Sequence, residues 1–156
     1  VRAAKENAMP ISDFCQSEVV CCEPDTSLAE VAALMRKHHV GDVVVVDNLA
    51  ARMPLGILTD RDIVIETMAL GIDATAFTAG DLMSAPVVTV GAGQGLVETL
   101  HLMRKHGLRR MPVLGVDGAV GGILTIDDLV HMLALEMSLL ADVIGGQSAR
   151  EGLLRR

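Results

Sequence analysis

The 156 residues contain no stretch of about 18 uncharged apolar positions, although 51% of them are hydrophobic; the sequence therefore does not read as membrane-spanning. The amino terminus, Val1-Arg2-Ala3-Ala4-Lys5-Glu6, has no apolar run of the signal-peptide kind. The expectation is a cytoplasmic, soluble protein. Cysteine is scarce: Cys15, Cys21 and Cys22 form no even set and show no two-residue spacing for zinc, which argues against both a disulfide framework and a structural metal. Basic charge is also short. A net charge of −7 disfavours a nucleic-acid surface, which needs clustered Lys and Arg to displace counterions. No catalytic constellation emerges either. His38, His39, His101, His106 and His131 fall into no nucleophile or zinc-protease spacing, and the adjacent His38 and His39 would point about 100° apart on a helix. Cys21 and Cys22 read as structural thiols in a strand rather than as a redox pair.

What the chain does contain is itself, twice. Leu34-Met35-Arg36-Lys37-His38 returns as Leu102-Met103-Arg104-Lys105-His106, an offset of 68. Asp13 and Asp81, Val19-Val20 and Val87-Val88, Leu28 and Leu96, Glu30 and Glu98, and Val45 and Val113 match at the same offset, whereas Gly56-Ile57-Leu58-Thr59 matches Gly122-Ile123-Leu124-Thr125 at 66. The two-residue change belongs in a turn. A unit of about 60 residues is a marginal core alone, so the halves are expected to pack together.

Each half reads as a short strand (Val19-Val20; Val87 to Val90), a helix, two strands (Val43 to Val46 and Leu55 to Leu58; Met111 to Val116 and Val120 to Leu124) and a second helix (about Asp60 to Met68; from about Asp127). Ser27-Leu28-Ala29-Glu30 is a capping box, Gly95 takes the matching cap position, and Asp117-Gly118 signals a hairpin. The expected class is α/β (α+β), with two β-α-β-β-α repeats packed as a pseudo-twofold pair and a C-terminal helix. The expected boundaries are an extension over 1–10, a first repeat over 11–70, a linker over 71–79, a second repeat over 80–140 and a tail over 141–156. An apolar helix from His131 to Ile144 is expected to stop at Gly145-Gly146 and to pack on a partner subunit.

The motif richest in chemistry is Gly56-Ile57-Leu58-Thr59-Asp60-Arg61-Asp62, echoed by Gly122-Ile123-Leu124-Thr125-Ile126-Asp127-Asp128. A strand ends at a threonine and a helix begins, presenting a hydroxyl, free backbone N–H groups and an aspartate able to bind ribose hydroxyls. Thr-x-x-Asp is equally a plain helix cap.

The order and duplication of these segments, with Asp81-Leu82-Met83 and Gly107-Leu108-Arg109-Arg110-Met111-Pro112-Val113, closely resemble a tandem pair of cystathionine-β-synthase (CBS) domains, also called a Bateman module, over about residues 11–140. The resemblance implies two clefts between the sheets that hold adenosine-containing ligands: AMP, ADP, ATP, S-adenosylmethionine or a dinucleotide such as NAD. Carried over, one cleft combines Ile57, Thr59 and Asp62 with Met83, Val88, Leu108 and Arg109, with Arg110 and Arg61 nearby. The other combines Ile123, Thr125 and Asp128 with Cys15, Val20, Val40 and Gly41. Apolar side chains would sandwich the base, backbone near Val20 or Val88 would read its edge, and the aspartate would hold ribose.

Residues 11–66 carry four Lys/Arg against ten Asp/Glu, and residues 80–140 four against six. Arg109-Arg110 is replaced by Gly41-Asp42 at the matching positions. The Thr59 cleft is therefore expected to be the adenine-nucleotide site, and the other, with Asp42, Asp127 and Asp128, to be empty or to take a less anionic ligand. The implied function is a non-catalytic regulatory sensor of adenine nucleotides, a homodimer that acts on a separate protein and needs no catalytic cofactor or metal. The alternative is a ligand-free dimerisation or interaction scaffold.

Overall fold

The computed structural model describes the backbone of residues 10–154 and the side chains of residues 10–145; the expected N-terminal extension lies almost wholly outside the described residues. The two repeats fold into two three-stranded sheets of identical order. In the first, β1 (Cys21–Cys22) runs parallel to β2 (Asp42–Val46), which pairs antiparallel with β3 (Pro54–Thr59). In the second, β4 (Val90–Gly91) runs parallel to β5 (Arg110–Leu114), and β5 pairs antiparallel with β6 (Val120–Thr125). The helices are α1 (Leu28–His38), α2 (Asp60–Glu66), α3 (Ala79–Leu82), α4 (Leu96–His106) and α5 (Ile126–Leu154).

Local chemistry explains the boundaries. Glu30 N–H donates to Ser27 Oγ at 3.3 Å while Ser27 N–H donates to Glu30 Oε2 at 3.1 Å, a closed capping box, and Leu28, Val31 and Met35 form the buried stripe of α1. Helix α4 ends at Gly107 with φ +65°, and α1 ends at the equivalent His39 with φ +55°, the left-handed conformation that releases the chain from a helix. The β2–β3 connection uses residues 47–53 and the β5–β6 connection 115–119, so the two-residue difference between the repeats does fall in this turn.

Val43 and Val45 of β2 pack with Leu28, Val31 and Met35, while Val44 and Val46 face the other sheet, meeting Val120 and Ile123. That two-sided burial is why four valines run consecutively instead of alternating with polar residues.

Four expectations are corrected. The first strands were expected at Val19-Val20 and from Val87, but the ladders form at Cys21–Cys22 and Val90–Gly91; β-branched residues favour extended backbone, yet only residues opposite β2 and β5 can pair. Strand β5 stops at Leu114, short of Val116, because the turn needs residues 115–119. Helix α2 closes at Glu66 and a separate 3-10 turn follows over Met68–Leu70; Thr67 Oγ1 bonds back to the Ile63 carbonyl at 2.6 Å. Finally, α5 does not stop at Gly145-Gly146 but continues to Leu154, because glycine costs only about 1 kcal/mol in a helix interior when no positive φ is imposed there.

The linker and the N-terminal segment exchange places. Ala79, fully buried, belongs to the first repeat's core, with Ala79 N–H donating to the Thr26 carbonyl and Gly80 N–H to the Pro24 carbonyl, both at 2.8 Å. At the matching positions Ile11, also fully buried, belongs to the second repeat's core, with Ile11 N–H donating to the Gln94 carbonyl at 2.8 Å and Ser12 N–H to the Ala92 carbonyl at 3.1 Å.

Candidate functional site

The crossing segments build the space between the repeats. Ser84 and Ile57 exchange both backbone hydrogen bonds, at 2.9 and 3.2 Å, and Gln16 and Ile123 do the same at 2.9 Å each. Each thus lays the residue before a first strand along the Thr-ending strand of the other unit. Close approach there requires glycine. A Cβ on Gly56 would stand 2.4 Å from Met83 Sδ, and one on Gly122 would stand 2.7 Å from Cys15 Sγ and 3.0 Å from the Gln16 carbonyl oxygen.

At the helix starts the two hydroxyl–carboxylate pairs are bonded to each other. Thr59 Oγ1 donates to Asp62 Oδ2 at 2.7 Å, Thr59 N–H donates to the same oxygen at 2.9 Å, and Asp62 N–H donates to Thr59 Oγ1 at 3.1 Å. Thr125 Oγ1 donates to Asp128 Oδ2 at 2.6 Å, and Asp128 N–H donates to Thr125 Oγ1 at 3.1 Å. Both motifs therefore cap their helices. They differ at the second carboxylate oxygen: the Gln16 side-chain amide donates to Asp128 Oδ1 at 2.8 Å, whereas Ser84, at the position matching Gln16, has a side chain too short for the equivalent reach.

One cavity of about 180 Å³ lies between the repeats. Its wall includes Val20, Val40, Gly41, Ile123 and Thr125, five of the seven residues expected in the second cleft, together with Gln16, Glu18, Val19, His39, Asp42 and Arg110. It adjoins a cavity of about 560 Å³ along α1, with which it shares Gln16, Glu18, Val19, Val20 and Val40. A third space of about 480 Å³, lined by Cys21, Cys22, Glu30, Lys37 and Leu49 among others, lies farther along α1. Cys15 and Asp128, the remaining members of the expected set, stand against Gly122 and behind Thr125.

Apart from Arg110, the residues expected around Thr59 line none of these three cavities. Met83 packs over Gly56 and against the first core, while Val88 and Leu108 pack against the second. Arg61 is exposed on the first turn of α2. Arg109, also exposed, donates to Asp127 Oδ1 at 3.0 Å. Arg110 is the exception: it lines the cavity of the Thr125 set and donates to Asp42 Oδ1 at 2.5 Å. Asp42 and Arg110 occupy the same position in the two repeats, so they meet across the pseudo-twofold axis, where sequence reading had them in opposite clefts. Burial raises the Asp42 carboxyl above the usual range, an effect the Arg110 charge reduces and nearby Asp60 adds to.

The symmetry also fails at a backbone group. Val44 N–H donates to the Val20 carbonyl at 3.0 Å, but its counterpart is Pro112, which has no N–H to offer Val88. The base-reading backbone expected near Val20 or Val88 therefore differs between the halves.

Gln16 and Glu18 were missed in the sequence. No motif marks them, and their counterparts Ser84 and Pro86 share no chemistry with them. Cys22, fully within the core, has its thiol raised to about 11, chiefly by burial, against a lowering hydrogen bond with Thr26, so it is a packed thiol with little thiolate character. Among the described residues no group of three or more His, Cys, Asp or Glu is placed to hold a metal ion, and no helix is long and apolar enough to cross a membrane.

This arrangement, two sheets with exchanged leading segments and a cavity of mixed polar and apolar wall between them, is a paired two-repeat architecture. The chain belongs to the CBS domain family, whose model matches residues 11–68 and 79–135. It is 32% identical to MK0525 of Methanopyrus kandleri over 80% of this chain, a match that spans 63% of that protein. It is 33% identical to Hypoxic response protein 1 of Mycobacterium tuberculosis over 77% of this chain and 82% of the relative. A crystal structure of Hypoxic Response Protein I, with two coordinated zinc ions, is 33% identical and superimposes with a TM-score of 0.68, covering 79% of this chain and 98% of that one. CBS-pair proteins of this kind are regulatory modules.

Proposed function

We propose that this chain is a non-catalytic regulatory module that takes an adenosine-containing ligand into the space between its two repeats and passes the binding event to a separate protein. The cavity bounded by Val20, Val40 and Gly41 of one repeat and Ile123 and Thr125 of the other carries the reading. Val19, Val20, Val40 and Ile123 offer a base an apolar stretch among polar neighbours, Thr125 brings a hydroxyl and a helix start, and the cavity adjoins a space of about 560 Å³, within the size range of small-molecule sites. The Thr59–Asp62 set is the second proposed place, since the carboxylate there keeps one oxygen clear of the cap. Because the cavity wall comes from both repeats, a ligand that bridges them favours one relative arrangement, which a partner reads as a population shift.

Isothermal titration and thermal melts with adenosine, AMP, ATP and S-adenosylmethionine test this, alongside mass spectrometry of small molecules released from the purified protein. A ligand at 100 times its dissociation constant adds about 2.7 kcal/mol of stability, and Val20→Trp, which fills the cavity, abolishes the gain. If no adenosine compound binds and none co-purifies, the reading fails.

The ligand-free scaffold is the second reading, favoured by the observation that both Thr-x-x-Asp pairs are already engaged as caps. Homodimerisation belongs to either reading. Its proposed surface includes α5, where Leu133, Leu135, Met137, Leu139, Leu140, Val143 and Ile144 are 49–71% exposed.

A further inference from the structure

Resting on the reading that the inter-repeat cavity is an adenosine site, we infer that its charge selects adenosine compounds bearing a neutral or cationic substituent and rejects phosphorylated ones. The wall offers one strong cation, Arg110, and it is already committed: its guanidinium is bonded to Asp42. A Cβ on Gly41 would lie 3.4 Å from both Arg110 Nη1 and Asp60 Oδ2, so the guanidinium and the Asp60 carboxylate flank the same glycine. Glu18 is exposed and lines both this cavity and the adjoining one of about 560 Å³. Asp128 stands behind Thr125, its Oδ2 accepting from the hydroxyl and its Oδ1 from Gln16. The fully charged side chains of this wall are thus two carboxylates, Glu18 and Asp42, against one guanidinium, Arg110. A phosphate entering here meets net negative charge and must compete with Asp42 for Arg110, whereas an ammonium or sulfonium meets Glu18 without displacing anything.

The site-building consequence is that Asp42 and Glu18 determine specificity, Asp42 by occupying the arginine and Glu18 by facing the ligand's substituent. Neither assignment follows from the Thr-x-x-Asp motif, which is the same in both halves.

The test is a titration series at pH 8 and low salt that varies charge on one scaffold: 5′-amino-5′-deoxyadenosine, adenosine, AMP and ATP against wild type, Glu18→Gln and Asp42→Asn. Wild type should bind in that order, each step about tenfold weaker, the size of one close charge interaction at the protein surface, and the spread should narrow with added salt. Glu18→Gln should weaken the amino compound about tenfold more than it weakens adenosine. Asp42→Asn, which releases Arg110, should tighten AMP about tenfold. AMP or ATP binding wild type at least as tightly as adenosine, or a series unaffected by Glu18→Gln and Asp42→Asn, overturns the charge selection while leaving the adenosine site standing. If no member binds wild type, the site itself is refuted, and the inference with it. Circular-dichroism melts of each variant identify an unfolded one, and the wild-type series alone still decides the order of binding.

Discussion

Gly56 and Gly122 show how much of the site is decided by single atoms. Both sit where a leading segment of the other unit crosses a strand, and both leave no room for a methyl group. Gly122→Ala and Gly56→Ala are each expected to cost about 1–3 kcal/mol, the range for overpacking a closed core, measured as a shift in urea midpoint. Both should respond to a second substitution. Met83→Ala removes Sδ and Cγ, the two nearest atoms to a Cβ at Gly56, so the double variant should recover part of the loss, with Met83 Cβ still 2.9 Å away. Cys15→Ala should likewise recover part of the Gly122→Ala loss, with the Gln16 backbone oxygen still 3.0 Å away. No rescue at either position would contradict the packing described. Such coupling is a property of contacting pairs and should vanish for distant ones.

At the scale of the element, the helices begin on sequence-coded caps, and the caps have a pH signature. The Glu30 carboxyl is held below the usual carboxylate range by its hydrogen bonds from the Ser27 side chain and then the Ser27 backbone, and Asp81 is lowered in the same way by the Thr78 backbone and side chain. A carboxyl lowered in the folded state contributes stability at neutral pH and loses it as pH falls through the ordinary carboxylate range toward the lowered value. Ser27→Ala is expected to cost about 1 kcal/mol as a lost N-cap. The difference between wild type and this variant, followed by urea unfolding from pH 7 to pH 3, should shrink on acidification; a constant difference would show that the Glu30 half of the box contributes nothing. Boundaries that depend on neighbours were less legible at this scale. Val19-Val20 has the composition of a strand, but the ladder forms two residues later because β2 offers its parallel partners at Val44 and Val45. Gly145-Gly146 looks like a stop, yet α5 passes through it.

For the whole molecule, the unexplained surface is α5. Val130, Leu133, Met137, Leu140 and Ile144 follow one another at alternating spacings of three and four, and each is 49–71% exposed. This is the spacing of a coiled-coil seam, and a run of that kind is more than a monomer ordinarily shows to water. Leu133→Lys combined with Leu140→Lys should lower the mass seen by size exclusion with light scattering to that of one 16.5 kDa chain without lowering the melting temperature of the repeats. An unchanged mass would place any self-association elsewhere.

The sequence by itself determined the duplication, the order of strands and helices within each half, the caps at Ser27, Thr59 and Thr125, and membership in the family, because each is carried by residues close together in the chain or by their exact recurrence. Only the tertiary structure decided that residues 10–16 and 78–84 cross to the opposite repeats, that Arg110 and Asp42 meet across the pseudo-axis, and that Gln16 and Glu18 enter the cavity wall. Those facts depend on which surfaces face each other after two similar units dock. Docking is set by the summed burial of valines and glycine-sized gaps on both sheets, a sum that no local pattern contains.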